Sequence, residues 1–195
     1  METINNIEIV RIGKQFWQTS NLNVDTFRNG KPISQILDDE DWEQRIANGK
    51  PAWCYYNNDP ENEFKYGKLY NWWAVNDSRG LAPKGFHIPS DDEWKELINF
   101  LGGMDEAGTK MKTTSGWKKN GNGTNRSGFS AIPCGRRYLL GGFDSFENDN
   151  SYWWSSTESN TYMAWFWNLY FYDGKVINNQ AYKDAGMCVR CIMDQ

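Results

Sequence analysis

Four cysteines and one histidine are the side chains of this chain best suited to covalent, redox or metal chemistry. Cys188-Val-Arg-Cys191 has the spacing of a redox dithiol and of half a zinc site. It falls in a strand-like run rather than at a helix start, where a helix dipole would lower a thiol pKa. On a strand, positions three apart point to opposite faces, so the pair does not converge on one metal without a bend. With Cys54 and Cys134 the count is even, which suits disulfides and equally suits buried free thiols. The single histidine, His87, excludes a His-rich metal centre and reads as a structural imidazole. No Gly-x-Ser-x-Gly nucleophile turn is present. Asp91, Asp92, Glu93 and Glu96 cluster where a helix N-terminus favours carboxylates, so they single out no acid–base pair. Asn57-Asn58-Asp59 reads as a turn rather than as oxygen ligands for calcium. No cofactor or metal is expected, and the chain does not read as an enzyme.

The chemistry the residues favour is recognition. The chain carries 11 Trp, 10 Tyr and 10 Phe, and many fall in its last third. There they are interleaved with Ser, Thr, Asn and Asp, beginning at Tyr152-Trp-Trp-Ser-Ser-Thr-Glu158. Rigid rings supply contact area at low entropy cost, and small polar residues supply adaptable hydrogen bonds. Alternation along Ala164 to Tyr172 predicts that Tyr162, Phe166, Asn168, Tyr170 and Tyr172 face outward on one side. Trp165, Trp167, Leu169 and Phe171 then face the other way. Asp173, Asn178, Asn179 and Tyr182 would continue the ligand-binding surface. The plainer alternative is that most of these rings are core.

Composition narrows the partners. Net charge is −4 and no run is rich in Lys or Arg, which argues against a nucleic-acid footprint. The acidic run Asp38-Asp-Glu-Asp41 reads as a solvated helix start. No apolar stretch is long enough for a transmembrane helix, so membrane insertion is not expected. The opening Met1-Glu-Thr-Ile-Asn-Asn has no basic and apolar leader, so no signal peptide is visible.

Several elements must position these residues. The 195 residues suit one domain over 1–195. Glu8 to Trp17 reads as two short strands about a turn at Gly13. Asp39 to Ala47 reads as a short helix with Trp42 and Ile46 inward. Trp53 to Tyr56 reads as a strand, and Leu69 to Val75 as a buried element of either type. Ser90 with Glu93 forms a capping box, and Trp94, Leu97, Ile98 and Leu101 follow on one helical face. Gly102-Gly103 ends that helix. Lys119 to Gly128 is a polar, Gly-rich loop matching no phosphate-binding template. Phe129 to Pro133, Tyr152 to Ser155 and Met187 to Met193 read as strands. Ala164 to Tyr172 and Lys175 to Asn178 read as a hairpin about Asp173-Gly174.

Ile12-Gly-Lys-Gln-Phe-Trp17, Asn21-Leu22, Phe27-Arg-Asn-Gly30 and Trp53-Cys-Tyr-Tyr-Asn-Asn-Asp59 form an ordered series. Tyr66-Gly-Lys-Leu-Tyr-Asn-Trp72, Gly85-Phe-His-Ile-Pro-Ser-Asp-Asp-Glu-Trp94 and Gly128-Phe-Ser-Ala-Ile-Pro133 continue it, then Tyr152 to Glu158 and Val189-Arg-Cys191. In this series the chain resembles the Fibrobacter succinogenes major paralogous domain, common in Bacteroidota. That family is similar to C-type-lectin-like folds and to the formylglycine-generating-enzyme relatives. The resemblance implies an α+β, C-type-lectin-like fold: two helices packed on twisted antiparallel sheet, with paired termini. It also implies a surface protein or phage tail-tip domain that binds a protein or a glycan. Some members of the wider group are diversified by retroelements in a segment that corresponds here to Ser159 to Asp184.

The family's usual cysteines fall at Cys54 and Cys191. Cys134 and Cys188 stand where Gly and Ser are usual, which suggests that these two meet and that Cys54 and Cys191 form a second close pair. The Glu-Pro-Asn and Trp-Asn-Asp patterns of calcium-binding lectins are absent. The formylglycine-generating relatives act through a C-terminal cysteine pair, but their spacing differs from Cys188/Cys191. A structural role in surface or virion decoration is the remaining alternative.

Overall fold

The computed structural model describes residues 2–4, 6–144 and 149–195, and within the first helix it leaves aside the side chains of residues 45–47. Strand β1 (Glu2–Ile4) pairs with β2 (Ile7–Ile12), which turns at Gly13 into β3 (Gln15–Gln18). Gly13 has φ 63°, the left-handed conformation that glycine adopts without a Cβ clash. After β4 (Ser34–Gln35) come helix α1 (Asp39–Ala47) and β5 (Ala52–Cys54). Trp42 is buried as expected, whereas the expected inward Ile46 lies outside the described residues.

Two short helices, α2 (Glu63–Tyr66) and α3 (Trp72–Val75), flank β6 (Leu69–Tyr70). Strand β7 (Phe86–His87) leads into α4 (Asp91–Phe100), and α5 (Ala107–Met111) follows. The expected capping box is formed: the Glu93 N–H donates to Ser90 Oγ, and the Ser90 N–H donates to Glu93 Oε2 at 2.8 Å. Such a cap stabilises a helix start by about 1 kcal/mol. The C-terminal part comprises β8 (Arg137–Tyr138), β9 (Gly141–Phe143), β10 (Asn150–Glu158), β11 (Met163–Tyr170), β12 (Val176–Tyr182) and β13 (Ile192–Met193).

The architecture is mixed α+β, mostly sheet with few short helices. One sheet has the order β1-β2-β3-β13-β7, so the last strand lies between strands from the first half of the chain. The antiparallel meander β10-β11-β12 is a second sheet. In the β4-β5-β6 sheet, β4 and β5 are parallel, a departure from the all-antiparallel expectation. Among the described residues no helix is long and apolar enough to cross a membrane.

The meander is packed on both faces. Trp153, Trp167, Leu169 and Val176 join one core with Trp17, Trp94, Leu97 and Phe129. Tyr152, Trp154, Ala164 and Phe166 join another with Tyr70, Trp72, Met187 and Val189. Trp94 of α4 is the hub of the first core. Its ring centroid lies 4.8 Å from Trp17, 5.9 Å from Phe129, 6.1 Å from Trp153 and 6.2 Å from Trp167.

Two expected strands are not continuous. Phe129 to Pro133 makes one bridge, at Ala131 with Lys112. Ser130 breaks the run with φ 57°, and Pro133 has no N–H to donate. Met187 and Cys188 bridge Tyr70 and Trp153, but only Ile192–Met193 forms a strand beyond them. Between them Arg190 is fully buried and bonded to Gln18, Asn21 and Phe129 rather than standing out from a ladder.

Candidate ligand-binding site

The nine residues expected to form one outward surface do not share one. Phe166 is 4% exposed and Asn168 is 1% exposed, so both are corrections. Because each face of β11 packs on a core, alternation along it does not sort inside from outside. Register divides the set further. Trp167 pairs with Asn178 and Met163 with Tyr182, while Phe166 pairs with Asn179 and Asn168 with Ile177. Asn178 and Tyr182 therefore belong to the Trp167 face, opposite Phe166 and Asn168.

Asn178 and Asp173 have structural partners. The Asn178 amide donates to Asp91 Oδ1 at 2.8 Å beside the Trp167 indole N–H at 2.9 Å, which ties the meander to the start of α4. Asp173 Oδ1 accepts the Lys175 N–H at 3.0 Å and closes the hairpin turn. The exposed rings sit at opposite ends of β11: Tyr162 and Tyr182 at its start, Tyr172 beyond its finish. Eight extended residues span roughly 25 Å, so one small ligand does not touch both ends.

The hairpin-turn end carries the denser constellation. Tyr170 and Tyr172 stack with centroids 5.2 Å apart and planes 9° apart, and Tyr172 is 64% exposed. Tyr170 meets the edge of Tyr152 at 6.5 Å. Arg136 lies 4.5 Å over Tyr152 and 4.8 Å over the exposed Tyr138, and its Nε donates to Asp144 Oδ1 at 3.4 Å. Burial, with the Asp144 charge, pushes the Tyr152 phenol well above its usual range, so it stays a neutral donor. Buried Lys112 holds the turn by donating to the carbonyls of Tyr170 and Asp173, and burial pushes its pKa down to about 8.

Asn168 lies under this cluster, directly across from Tyr152 in the ladder and two residues before Tyr170. Neither its Oδ1 nor its Nδ2 has a hydrogen-bond partner, and Asn150 Oδ1, across from Tyr170, has none either. A buried unpaired amide costs about 1–3 kcal/mol, and such groups are satisfied by water or by a ligand atom. Sequence reasoning named Asn168, Tyr170 and Tyr172 but missed Arg136, Tyr138, Asp144 and Asn150. No local pattern marks these four, because they reach the cluster from separate segments.

All four cysteines are buried free thiols. Cys134 and Cys188 lie in one core, with Cys134 Sγ 3.1 Å from Ser151 Oγ and Cys188 Sγ 3.3 Å from Asn21 Nδ2. Cys54 and Cys191 do not form the expected second pair: they belong to different cores. Burial pushes each of these two thiols up to about 12. Cys188 and Cys191 likewise sit in different cores, in keeping with opposite faces of an extended run. Among the described residues no group of three or more His, Cys, Asp or Glu is placed to hold a metal. Asn57 and Asn58 both take φ 55°, and Asp59 Oδ1 caps the following turn at the Glu61 N–H, so this segment is a turn.

His87 is a bridge rather than a ligand. Nε2 lies 2.8 Å from Glu93 Oε1 and Nδ1 lies 2.7 Å from Asp194 Oδ1. Two carboxylate acceptors require both ring nitrogens to donate, which only the imidazolium does. Burial opposes that charge, but the hydrogen bonds to Glu93 and Asp194 outweigh it and raise the pKa above 6.5. A raised folded-state pKa contributes stability that is complete below the unfolded value and is lost as pH rises through the folded value. The melting temperature of the wild type is therefore expected to fall from about pH 6 to pH 8, and His87→Asn to flatten that slope. Equal slopes in both proteins would show that the bridge is uncharged.

The sequence matches the Fibrobacter succinogenes major domain family over residues 10–193, and the chain belongs to that family. No curated protein and no solved structure matches it.

Proposed function

We propose that this chain is a C-type-lectin-like recognition module, displayed on a cell surface or phage tail tip, that binds a protein or glycan at the tyrosine end of its meander. The observation that carries the reading is the partnerless Asn168 amide beneath a stack of half-buried Tyr170 on exposed Tyr172. Tyr138, Tyr152 and Arg136 extend the contact area, and Asn150 adds an unpaired acceptor. Placement of the last strand among strands from the first half supports the lectin-like topology. If the segment Ser159 to Asp184 is diversified, the positions free to vary are the exposed ones, such as Tyr162, Tyr172, Asn179 and Tyr182, because the β11 interior is committed to two cores.

The buried state of Cys188 and Cys191 weighs against the cysteine-enzyme alternative, since a catalytic thiol must meet its substrate. A glycan array and a pull-down from bacterial surface extract test the proposal. Tyr170→Ala with Tyr172→Ala is expected to weaken binding by roughly 30-fold or more, as loss of aromatic anchors does. Tyr162→Ala with Tyr182→Ala is expected to leave it unchanged. Asn168→Leu is expected to weaken binding while leaving the fold as stable as wild type or more so, because it removes an unpaired amide. Binding that survives the first pair and vanishes with the second would move the site to the other end of β11.

A further inference from the structure

A pocket apart from the tyrosine cluster opens between the segment after β3 and helix α2. Its volume is about 340 Å³, the size of a small-molecule site. Ser20 and Asn21 line one side, Phe64 and Lys65 of α2 another, and Ser130 and Arg190 a third. None of Tyr138, Tyr152, Tyr170 and Tyr172 lines it.

Arg190 gives this pocket its electrostatic character. It is 0% exposed, and its guanidinium lies 4.4 Å over the Phe129 ring. Nε and Nη2 donate to Asn21 Oδ1 at 3.3 and 3.0 Å, and Nη1 donates to the carbonyls of Gln18 at 3.0 Å and Phe129 at 2.6 Å. All of these acceptors are neutral. The four bonds engage at most four of the five N–H groups, so the guanidinium keeps an N–H without an acceptor. Among the described residues its ionisable neighbours are thiols, which are weak acids, and not carboxylates. A guanidinium stays charged, and a buried charge without a counter-ion is costly.

The rim adds a second cation and an apolar surface. Lys65 Nζ lies 4.5 Å over the Tyr66 ring, and Lys65 makes no ion pair among the described residues. Phe64 is 94% exposed. Glu63 also lines the pocket, but its carboxylate is taken by Lys68 Nζ and Asn23 Nδ2, each at 3.2 Å. Ser130 holds its part of the wall at φ 57°, fixed by its N–H donating to Asn125 Oδ1 at 2.9 Å. A wall held in so sparsely populated a conformation is set before a ligand arrives.

We infer that this pocket binds a small organic carboxylate carrying a compact apolar group. Arg190 has no surface open to water, so it acts on the carboxylate as a charge within a low-dielectric wall, where its pull is stronger than in water. The exposed Ser20 and Lys65 supply the donors that meet the anion. The apolar group lies on the Phe64 ring, which is otherwise uncovered.

The test is a titration of the isotope-labelled full chain with phenylacetate, phenethyl alcohol and phenethylamine, read from the amide NMR shifts. The three probes share one ring and differ in charge, so they report on Arg190 without removing a side chain the fold needs. Phenylacetate is expected to bind with a Kd on the order of 1 mM and to shift the amides of Asn21, Gly67 and Ser130. The alcohol is expected to bind at least about tenfold more weakly, and the amine not to saturate. Phe64→Ala and Lys65→Gln, both at exposed positions, are each expected to weaken phenylacetate roughly threefold to tenfold without loss of the fold. Tyr170→Ala with Tyr172→Ala is expected to leave its affinity unchanged. Equal affinity for acid and alcohol, no saturable shift at about ten times the expected Kd, shifts confined to other segments, affinity unchanged in both rim variants, or loss of binding in the tyrosine variant would overturn the inference.

Discussion

Trp94→Ala is expected to lower unfolding free energy by about 3–5 kcal/mol, the cost of deleting a fully buried large ring. The loss is expected to be at the upper end. Trp94 contacts rings from four separate segments, Trp17, Phe129, Trp153 and Trp167, so no single neighbour can collapse into the space. The indole is there for its area rather than its polarity, since its Nε1 has no hydrogen-bond partner. Trp94→Phe should therefore cost far less, as part of the lost area is offset by removal of an unpaired N–H. Urea titration measures both, with the shift in midpoint at constant slope giving the difference. An Ala variant within about 1.5 kcal/mol of wild type would mean that the hub is not what joins α4 to the meander.

Arg137→Ala is expected to cost roughly 2–4 kcal/mol, through the buried Ile36 carbonyl left without its donor and the packing lost over Trp42. Its guanidinium is fully buried, 4.5 Å over Trp42, and donates to the carbonyls of Ile36, Leu37 and Asp38 and to Asp39 Oδ1. It thereby fixes the segment that starts α1 against the β8–β9 pair. The same bond holds the Asp39 carboxyl below its usual range, although Asp39 itself is mostly exposed. Arg137→Lys keeps the charge but not the planar fork, so it should recover only part of the loss. Limited proteolysis supplies a local readout: cleavage near residues 36–39 should accelerate in the Ala variant more than cleavage elsewhere. Uniform acceleration along the chain would locate the effect in global stability alone.

Local signals were legible wherever a few adjacent residues set the backbone. The Gly13 turn, the Ser90–Glu93 capping box, the apolar face of α4 and the Asp173-Gly174 hairpin all depend on neighbours within about one turn, and all are present. The family was legible too, because its motifs run in order along nearly the whole chain. Phe129 to Pro133 and Met187 to Met193 misled because apolar, β-branched runs resemble strands. The carbonyls of Phe129 and Ala131 accept instead from the Arg190 and Trp117 side chains, and the backbone of Met187 to Cys191 bonds in turn to Tyr70, Tyr152, Trp154, Leu22 and Gln18 rather than to one strand.

The candidate site shows where sequence stops. Alternation in β11 is real, but alternation reports inside and outside only when one face meets water. The sequence by itself determined the family, the mixed α+β class, the main turns and the crowding of rings in the last third. Only the tertiary structure decided that both faces of β11 are covered, that Tyr162 and Tyr172 sit at opposite ends, and that Arg136 and Asn150 join Tyr170. The reason is range: a turn or cap is set by a few bonds within one segment, whereas which face a ring lies on depends on which distant segment packs against it.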